Sequence, residues 1–270
     1  MIYSTEAATT VLKMAKEALD RPESAPVRLQ KLWWTLLFSR ARALTASVRQ
    51  LTGDKVAGGP FKDMKLIQEV STIYPSPMLL GCYEHELHPV FEKAIAGNYQ
   101  RILNIGCSLG YYAVGLARRM PHVIVEAFDI DPEARRKCAD LARLNNVEDR
   151  VKIGGQFYGD DFSTYRDEKT LVLMDIEGAE TSLLDPARYP ALQKFDVIVE
   201  LHDMIDATTS QKICERFVGS HTVELIKNVN FLPDLSAVLA ADAYIDPFDQ
   251  LLLGWEGRDG STPWGIFYAK

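Results

Sequence analysis

The 270-residue chain has only four cysteines, and no two of them form a C-x-x-C pair. Cys82, Cys107, Cys138 and Cys214 have neither the spacing of a zinc site nor that of a compact disulfide framework, so reduced thiols are expected. No apolar run approaches the roughly 20 residues that span a bilayer. The opening segment MIYSTEAATT has no basic stretch followed by an apolar core, so it is not read as a secretory signal and the expected location is cytoplasmic. Positive charge is not in surplus either: 30 Lys and Arg stand against 37 Asp and Glu, a formal net charge of -7. A chain without a broad basic field is a poor fit to a phosphate backbone, so no nucleic-acid partner is expected, and a small molecule, a glycan or a protein is favoured. Internal repeats and low-complexity tracts are absent.

What is present divides into two parts. Residues 1–80 read as a helical extension. Ala8, Val11, Leu12, Ala15 and Leu19 recur at helical spacing over 5–20, and Pro22 and Pro26 interrupt the pattern. A second helix is predicted from Val27 to about Leu51, ending before Gly53, Gly58 and Gly59. Its centre, Leu32-Trp33-Trp34-Thr35-Leu36-Leu37-Phe38, is apolar nearly all the way round. Such a helix is expected to be buried against the main domain or in a homodimer through these N-terminal helices. Arg28, Lys31, Arg40, Arg42 and Arg49 flank the run, which leaves peripheral membrane contact as the less favoured alternative.

From Arg101 onward strands and helices alternate. Apolar runs predict strands at Arg101–Ile105, Val123–Phe128, Val151–Ile153, Leu171–Met174 and Asp196–Leu201. Helices are predicted at Tyr111–Met120, at Pro132–Asn145 and from about Ala179 to Leu184. This alternation implies parallel βαβ units in an open, doubly wound α/β sheet. The tail is richer in β structure, with strands predicted at His221–Ile226 and Trp264–Tyr268. Residues 229–262 between them read as a long irregular stretch and a candidate substrate lid.

The first strand runs into Asn104-Ile105-Gly106-Cys107-Ser108-Leu109-Gly110, followed by a helix. Glycine here permits a tight turn and close approach of a ligand to the backbone at a helix N-terminus. The spacing is G-x-x-x-G and lacks the third glycine of a dinucleotide fingerprint, which counts against NAD. The second strand ends in Phe128-Asp129-Ile130-Asp131-Pro132. Asp129 is placed to accept hydrogen bonds from both hydroxyls of a ribose, while Asp131 before Pro132 suits a helix N-cap. Asp160, in Gly159-Asp160-Asp161-Phe162 after the third strand, is placed either to meet an adenine amino group or to sit in a solvated turn. Together these residues point to an adenosine-containing ligand.

These residues, in this order, resemble the class I S-adenosylmethionine-dependent methyltransferases. The segment Val172-Leu173-Met174-Asp175-Ile176-Glu177-Gly178-Ala179-Glu180, a strand ending in Asp-Ile-Glu-Gly-Ala-Glu, is similar to the signature of the FkbM-type methyltransferases. The resemblance covers roughly residues 81–205, about half the chain. It implies a Rossmann-like sheet of about seven strands with the last antiparallel, a cofactor domain over 81–270, S-adenosyl-L-methionine as cofactor, and methylation of an oxygen on a sugar or natural product. Asn104 stands where many class I enzymes carry an acid, and its carbonyl can accept a hydrogen bond from the methionine amino group without the charge. The cofactor pocket so assigned comprises Tyr83, Asn104, Gly106, Cys107, Gly110, Asp129, Ile130, Asp160 and Asp175.

Methyl transfer needs the acceptor held in line with the sulfonium methyl and, for an alcohol, removal of its proton. Glu200-Leu201-His202-Asp203 ends a strand whose carboxyl end faces the same crevice, and Glu200 and His202 share one side of it. His202 is read as the base, oriented by Glu200 or Asp203, against the alternative of a strand-end histidine satisfied by backbone. Asp175 with Glu177 is the second cluster, for contact with cofactor or acceptor, although Asp175 is also a candidate helix cap. Asp175, Glu200, His202 and Asp203 are a donor set that suits magnesium or manganese, but the metal-free reading is preferred. A third group, Tyr83-Glu84-His85-Glu86-Leu87-His88, supplies Tyr83 and Glu84 as pocket residues. The alternatives to O-methylation of a small molecule are an amine acceptor and a non-catalytic, cofactor-binding scaffold. Nucleic-acid methylation is disfavoured, since no Asn-Pro-Pro-Tyr loop is present.

Overall fold

The computed structural model describes residues 4–67, 76–229, 232–239, 244–257 and 262–270. In chain order its helices are α1 (Thr5–Leu19), α2 (Ala25–Thr52), α3 (Ser76–Leu80), α4 (His88–Ile95), α5 (Tyr111–Arg119), α6 (Pro132–Leu144), α7 (Glu180–Leu183), α8 (Thr209–Phe217) and α9 (Pro247–Gly254). The strands are β1 (Arg101–Ile105), β2 (Ile124–Phe128), β3 (Val151–Gly154), β4 (Thr170–Met174), β5 (Asp196–Glu200), β6 (His221–Ile226) and β7 (Trp264–Ala269). Contacts group these into two units. One is drawn from Met1–Gly58, Glu69–Tyr83 and Asn230–Gly257, the other from Gly59–Gln68, Glu84–Val229 and Arg258–Lys270. Of the extension 1–80 read from the sequence, Gly59–Gln68 fall in the second unit.

In the helical unit, Ser4 caps α1 by accepting from Ala7 N at 3.2 Å, and α2 stops at Gly53 in the left-handed conformation (φ +59°) that glycine adopts without cost. Trp34 stacks on Phe38 at 5.2 Å and on Trp255 at 6.1 Å between ring centres. Arg40 grips Asp249 with two hydrogen bonds, of 2.8 and 2.5 Å. The run around Trp33-Trp34 is therefore only partly buried in its own unit: Trp33 is 54% exposed. The stretch 229–262, read as irregular, contains α9, started by Asp246 accepting from Phe248 N at 2.9 Å with Pro247 in the first turn. Of the lid expectation, residues 230–231, 240–243 and 258–261 lie outside the described residues. Among the described residues no helix is long and apolar enough to cross a membrane.

The other unit holds a seven-stranded sheet in the order β3-β2-β1-β4-β5-β7-β6. β1 to β5 are parallel, and β7 runs antiparallel between β5 and β6, so the expected Rossmann-like fold with an antiparallel last strand is the one formed. β4 is buried at every residue, which explains its unbroken apolar run Leu171-Val172-Leu173-Met174. Aromatic side chains fill the core beside it, among them Phe162, Phe195, Phe217 and Phe267, each fully buried. The chain moves outward from β1 through β2 to β3, then crosses back to β4 on the other side of β1. The loops after β1 and β4 therefore part in opposite directions at the carboxyl ends of the strands, the place where open α/β sheets bind ligands.

Candidate functional site

The glycine turn after β1 is shaped by the protein on both sides. Gly106 has φ +80°, and a Cβ there would stand 1.7 Å from Asp175 O, so the turn passes the end of β4 with no room for a side chain. Gly110 has φ +91° at the head of α5, and a Cβ would stand 2.6 Å from Cys138 Sγ, which lets α5 lie against α6. Both glycines answer to packing, where the sequence reading gave their open side to a ligand. The N–H groups of Gly106 and Cys107 both donate to Phe128 O, at 2.8 and 2.9 Å. Cys107 faces inward, and Cys138 together with burial raises its thiol pKa. Its amide and thiol are committed, so Cys107 shapes the turn rather than binding a ligand through either group.

Ser108, next in the turn and left-handed (φ +47°), sends its N–H to Asp129 Oδ2 at 2.8 Å. Asp131 N–H donates to Oδ1 of the same carboxylate at 2.9 Å. Asp129 is thereby fixed at the end of β2 with one amide on each oxygen, and each oxygen keeps a lone pair for a further donor. Ile130 beside it is 76% exposed. Asp131 caps α6 by accepting from Glu133 N at 2.9 Å, as its place before Pro132 implies. Asp160 is exposed on the first turn of the 3-10 helix Gly159–Tyr165, while its neighbour Asp161 closes the turn on Tyr158 N at 2.8 Å.

Two other residues of the expected pocket lie on β1 and just after α3. Asn104 is 2% exposed, and its Oδ1 has no hydrogen-bond partner among the described residues. It is the last residue but one of β1. Tyr83 belongs to the helical unit, where its N–H closes α3 on Pro77 O at 3.1 Å. Glu84 is buried and accepts the hydroxyl proton of Tyr112, in the first turn of α5. His85 and His88 lie ring to ring with centres 4.8 Å apart.

Across β1 from Asp129, the ends of β4 and β5 gather four acids around one imidazole. His202 is 2% exposed. Its Nδ1 meets Glu180 Oε1 at 2.7 Å. Its Nε2 faces Glu177 Oε2 at 3.4 Å, Asp175 Oδ1 at 3.7 Å and Glu200 Oε2 at 3.9 Å. Glu180, wholly buried at the head of α7, also accepts from Gly178 N at 3.0 Å. Glu177 and Gly178 are left-handed (φ +53° and +99°), a reversal that leaves the Glu177 side chain 83% exposed while Glu180 turns inward. Burial, then the charges of Glu200 and Glu177, push the Asp175 carboxyl well above its ordinary range.

Burial alone would lower the His202 pKa, but Glu180, Glu200 and Asp175 outweigh it and lift the group to about 9. A protonated imidazole has no lone pair to offer, so His202 acts as a base or as a metal ligand only once that proton has left. The orienting acid is Glu180. Asp203 instead holds Ser210, at 2.8 Å to N and 2.6 Å to Oγ, in the first turn of α8. Glu200 and His202 do share one side, and Asp175 joins them. Glu180 was the residue sequence reasoning missed. Its signal was an acid two residues after a glycine, at a helix start beside a strand-end histidine.

No family model matches the chain. A curated relative, release factor glutamine methyltransferase from Deinococcus radiodurans, is 27% identical over 118 residues, 44% of this chain and 40% of that protein's length. Among solved structures, the O-methyltransferase TomG from Streptomyces achromogenes, involved in tomaymycin synthesis and in complex with S-adenosylmethionine, is 16% identical with a TM-score of 0.49, over 71% of this chain and 81% of that one. An O-methyltransferase from Bacillus cereus in complex with S-adenosylhomocysteine is 12% identical with a TM-score of 0.47, over 86% of this chain and 91% of that one. The chain thus spans less than half the length of the curated relative it matches.

Proposed function

We propose that the chain is an S-adenosylmethionine-dependent methyltransferase of the FkbM type that methylates a hydroxyl of a small molecule, natural product or sugar. The observation that carries this reading is the Asp129 carboxylate, held by the amides of Ser108 and Asp131 beside the glycine turn. A ribose bridged across its two oxygens would lie over the ends of β1 and β2. The methionine end of the cofactor would then point across β1 toward the acid–imidazole cluster at β4 and β5. The acidic cluster supports an oxygen acceptor, since a hydroxyl must lose a proton in the reaction and a neutral amine need not lose one first. The segment Asp175-Ile176-Glu177-Gly178-Ala179-Glu180, which builds that cluster, is also the part of the sequence that carries the FkbM resemblance.

The deciding experiment is calorimetric titration of the full-length chain with S-adenosylmethionine and S-adenosylhomocysteine, with NAD as control. Binding of both sulfur ligands, weakened in Asp129→Ala and absent for NAD, is the expected result. A hydroxyl-acceptor screen read by release of S-adenosylhomocysteine would follow. A folded protein that takes up neither sulfur ligand would overturn the reading.

A further inference from the structure

The cluster at β4 and β5 has the dimensions of a cation site. Asp175 follows β4, Glu200 ends β5, and His202 lies two residues beyond. One donor atom from each lies within 4.8 Å of the other two. Bonds from carboxylate or imidazole to a divalent ion are roughly 2.0–2.6 Å, so ligands on opposite sides of one ion stand about 4–5 Å apart.

Two features distinguish the cluster from a patch of surface acids. The first is the aim of His202. Its side chain is 3% exposed, yet the three carboxylate oxygens around Nε2 all stand at 3.4–3.9 Å, at or beyond the limit of good hydrogen-bond length. The second is Asp175. Although a third of its side chain is open to solvent (33%), its Oδ1 is inaccessible and has no hydrogen-bond partner among the described residues. Behind the imidazole, Glu180 takes Nδ1, the arrangement that fixes ring orientation and tautomer when the other nitrogen ligates a metal. Asp203, the fourth donor suggested by sequence, is excluded because both its oxygens hold Ser210.

We infer that Asp175, Glu200 and His202 bind one divalent cation of the manganese or magnesium class, with Glu180 as the positioning residue. Two carboxylates and one imidazole suit such an ion and leave coordination positions for acceptor oxygens. The inference deepens the methyl-transfer reading and rests on it for its purpose. The ion lowers the pKa of the acceptor hydroxyl. The methyl group passes from the sulfonium sulfur to that oxygen, S-adenosylhomocysteine leaves, and the hydroxyl proton passes to the exposed Glu177 carboxylate and on to water.

The test uses the full-length chain stripped with EDTA and titrated with Mn2+, without cofactor, following the paramagnetic resonance signal of the free ion. One bound equivalent is expected. Asp175→Asn and Glu200→Gln should each weaken binding by at least about tenfold, and Glu180→Ala by about tenfold through loss of ring orientation. Asp203→Asn should leave it within about twofold. Circular dichroism identifies any variant that fails to fold, and His202→Asn replaces it in that case. A folded, stripped protein that binds no Mn2+ at millimolar concentration overturns the inference, as does binding indifferent to both Asp175→Asn and Glu200→Gln. Cofactor titration of the same samples separates the two readings: cofactor bound without Mn2+ removes the cation site alone, and Mn2+ bound without cofactor removes the methyl-transfer reading alone.

Discussion

Glu180 and His202 meet at 2.7 Å in the interior, a carboxylate with no exposed surface against an imidazole that is 2% exposed. Neither group has water to fall back on. Removing the acid leaves the buried Nδ1–H without its acceptor while three other carboxylates still face the ring, and a lost hydrogen bond to a charged group costs about 1.5–3 kcal/mol. Glu180→Ala is therefore expected to lower unfolding free energy by that order in a urea titration. Glu180→Gln keeps an acceptor for Nδ1 and for Gly178 N, so its loss should be clearly smaller. Equal stability of Glu180→Ala and the parent chain would mean that the pair does not form.

How far the sequence reaches depends on whether a signal is local. The strands were legible because a parallel strand buried on both faces must be apolar throughout, as Leu171-Val172-Leu173-Met174 is. Asp131-Pro132 revealed its helix through cap chemistry that any stretch of chain can display. Asp246-Pro247 carries the same signal before α9, but the irregular residues around it masked the pattern. The site was half legible. Alternation along β5 placed Glu200 and His202 together, whereas the protonation of His202 is set by acids from β4, β5 and α7, which no single segment contains. The packing roles of Gly106 and Gly110 were hidden for the same reason: the atoms that forbid a side chain belong to Asp175 and Cys138.

Asp129 and Asp131 are two residues apart and do different work, which makes them a paired test. Asp129 accepts from Ser108 and Asp131 and faces the proposed ribose, so Asp129→Asn should weaken S-adenosylhomocysteine binding by about tenfold or more, the worth of one charge-assisted hydrogen bond. Asp131 caps α6, so Asp131→Ala should cost about 1 kcal/mol of stability and leave affinity nearly unchanged. Calorimetry and thermal denaturation on both variants read the two effects. A reversed pattern would exchange their roles.

In the helical unit, Arg40 and Asp249 join α2 to α9 by a two-pronged pair whose acid side chain is 8% exposed. The Arg40 side chain is 32% exposed, which moderates the interaction. Arg40→Lys keeps the charge but loses the fork, so it should already be destabilising. A double-mutant cycle with Arg40→Ala and Asp249→Ala should return a coupling energy of roughly 1–3 kcal/mol. A coupling near zero would show that the ion pair adds nothing to the packing that holds α9.

The four thiols are free, and three of them, Cys82, Cys107 and Cys138, are buried. Burial, helped by the charge of Glu256, pushes the Cys82 thiol up to about 12. The thiolate is the reactive form, so at pH 8 Cys82 should be silent toward Ellman's reagent while the protein is folded. Cys214 is only half-buried and is the one expected to label, slowly, because burial and then Asp203 raise its pKa as well. Native protein should therefore yield at most one thiol and denatured protein four, and Cys214→Ser should abolish the native reaction. The same shift has a thermodynamic side. In the unfolded chain Cys82 ionises near 9, its ordinary value, whereas the folded chain holds the proton until about 12. The unfolded state thus loses the proton first, and its contribution makes stability fall as pH rises between those values. Cys82→Ser should flatten that part of the stability curve, and rapid labelling of three or more thiols in the native state would show that the segments around Cys82 and Cys107 are open to solvent.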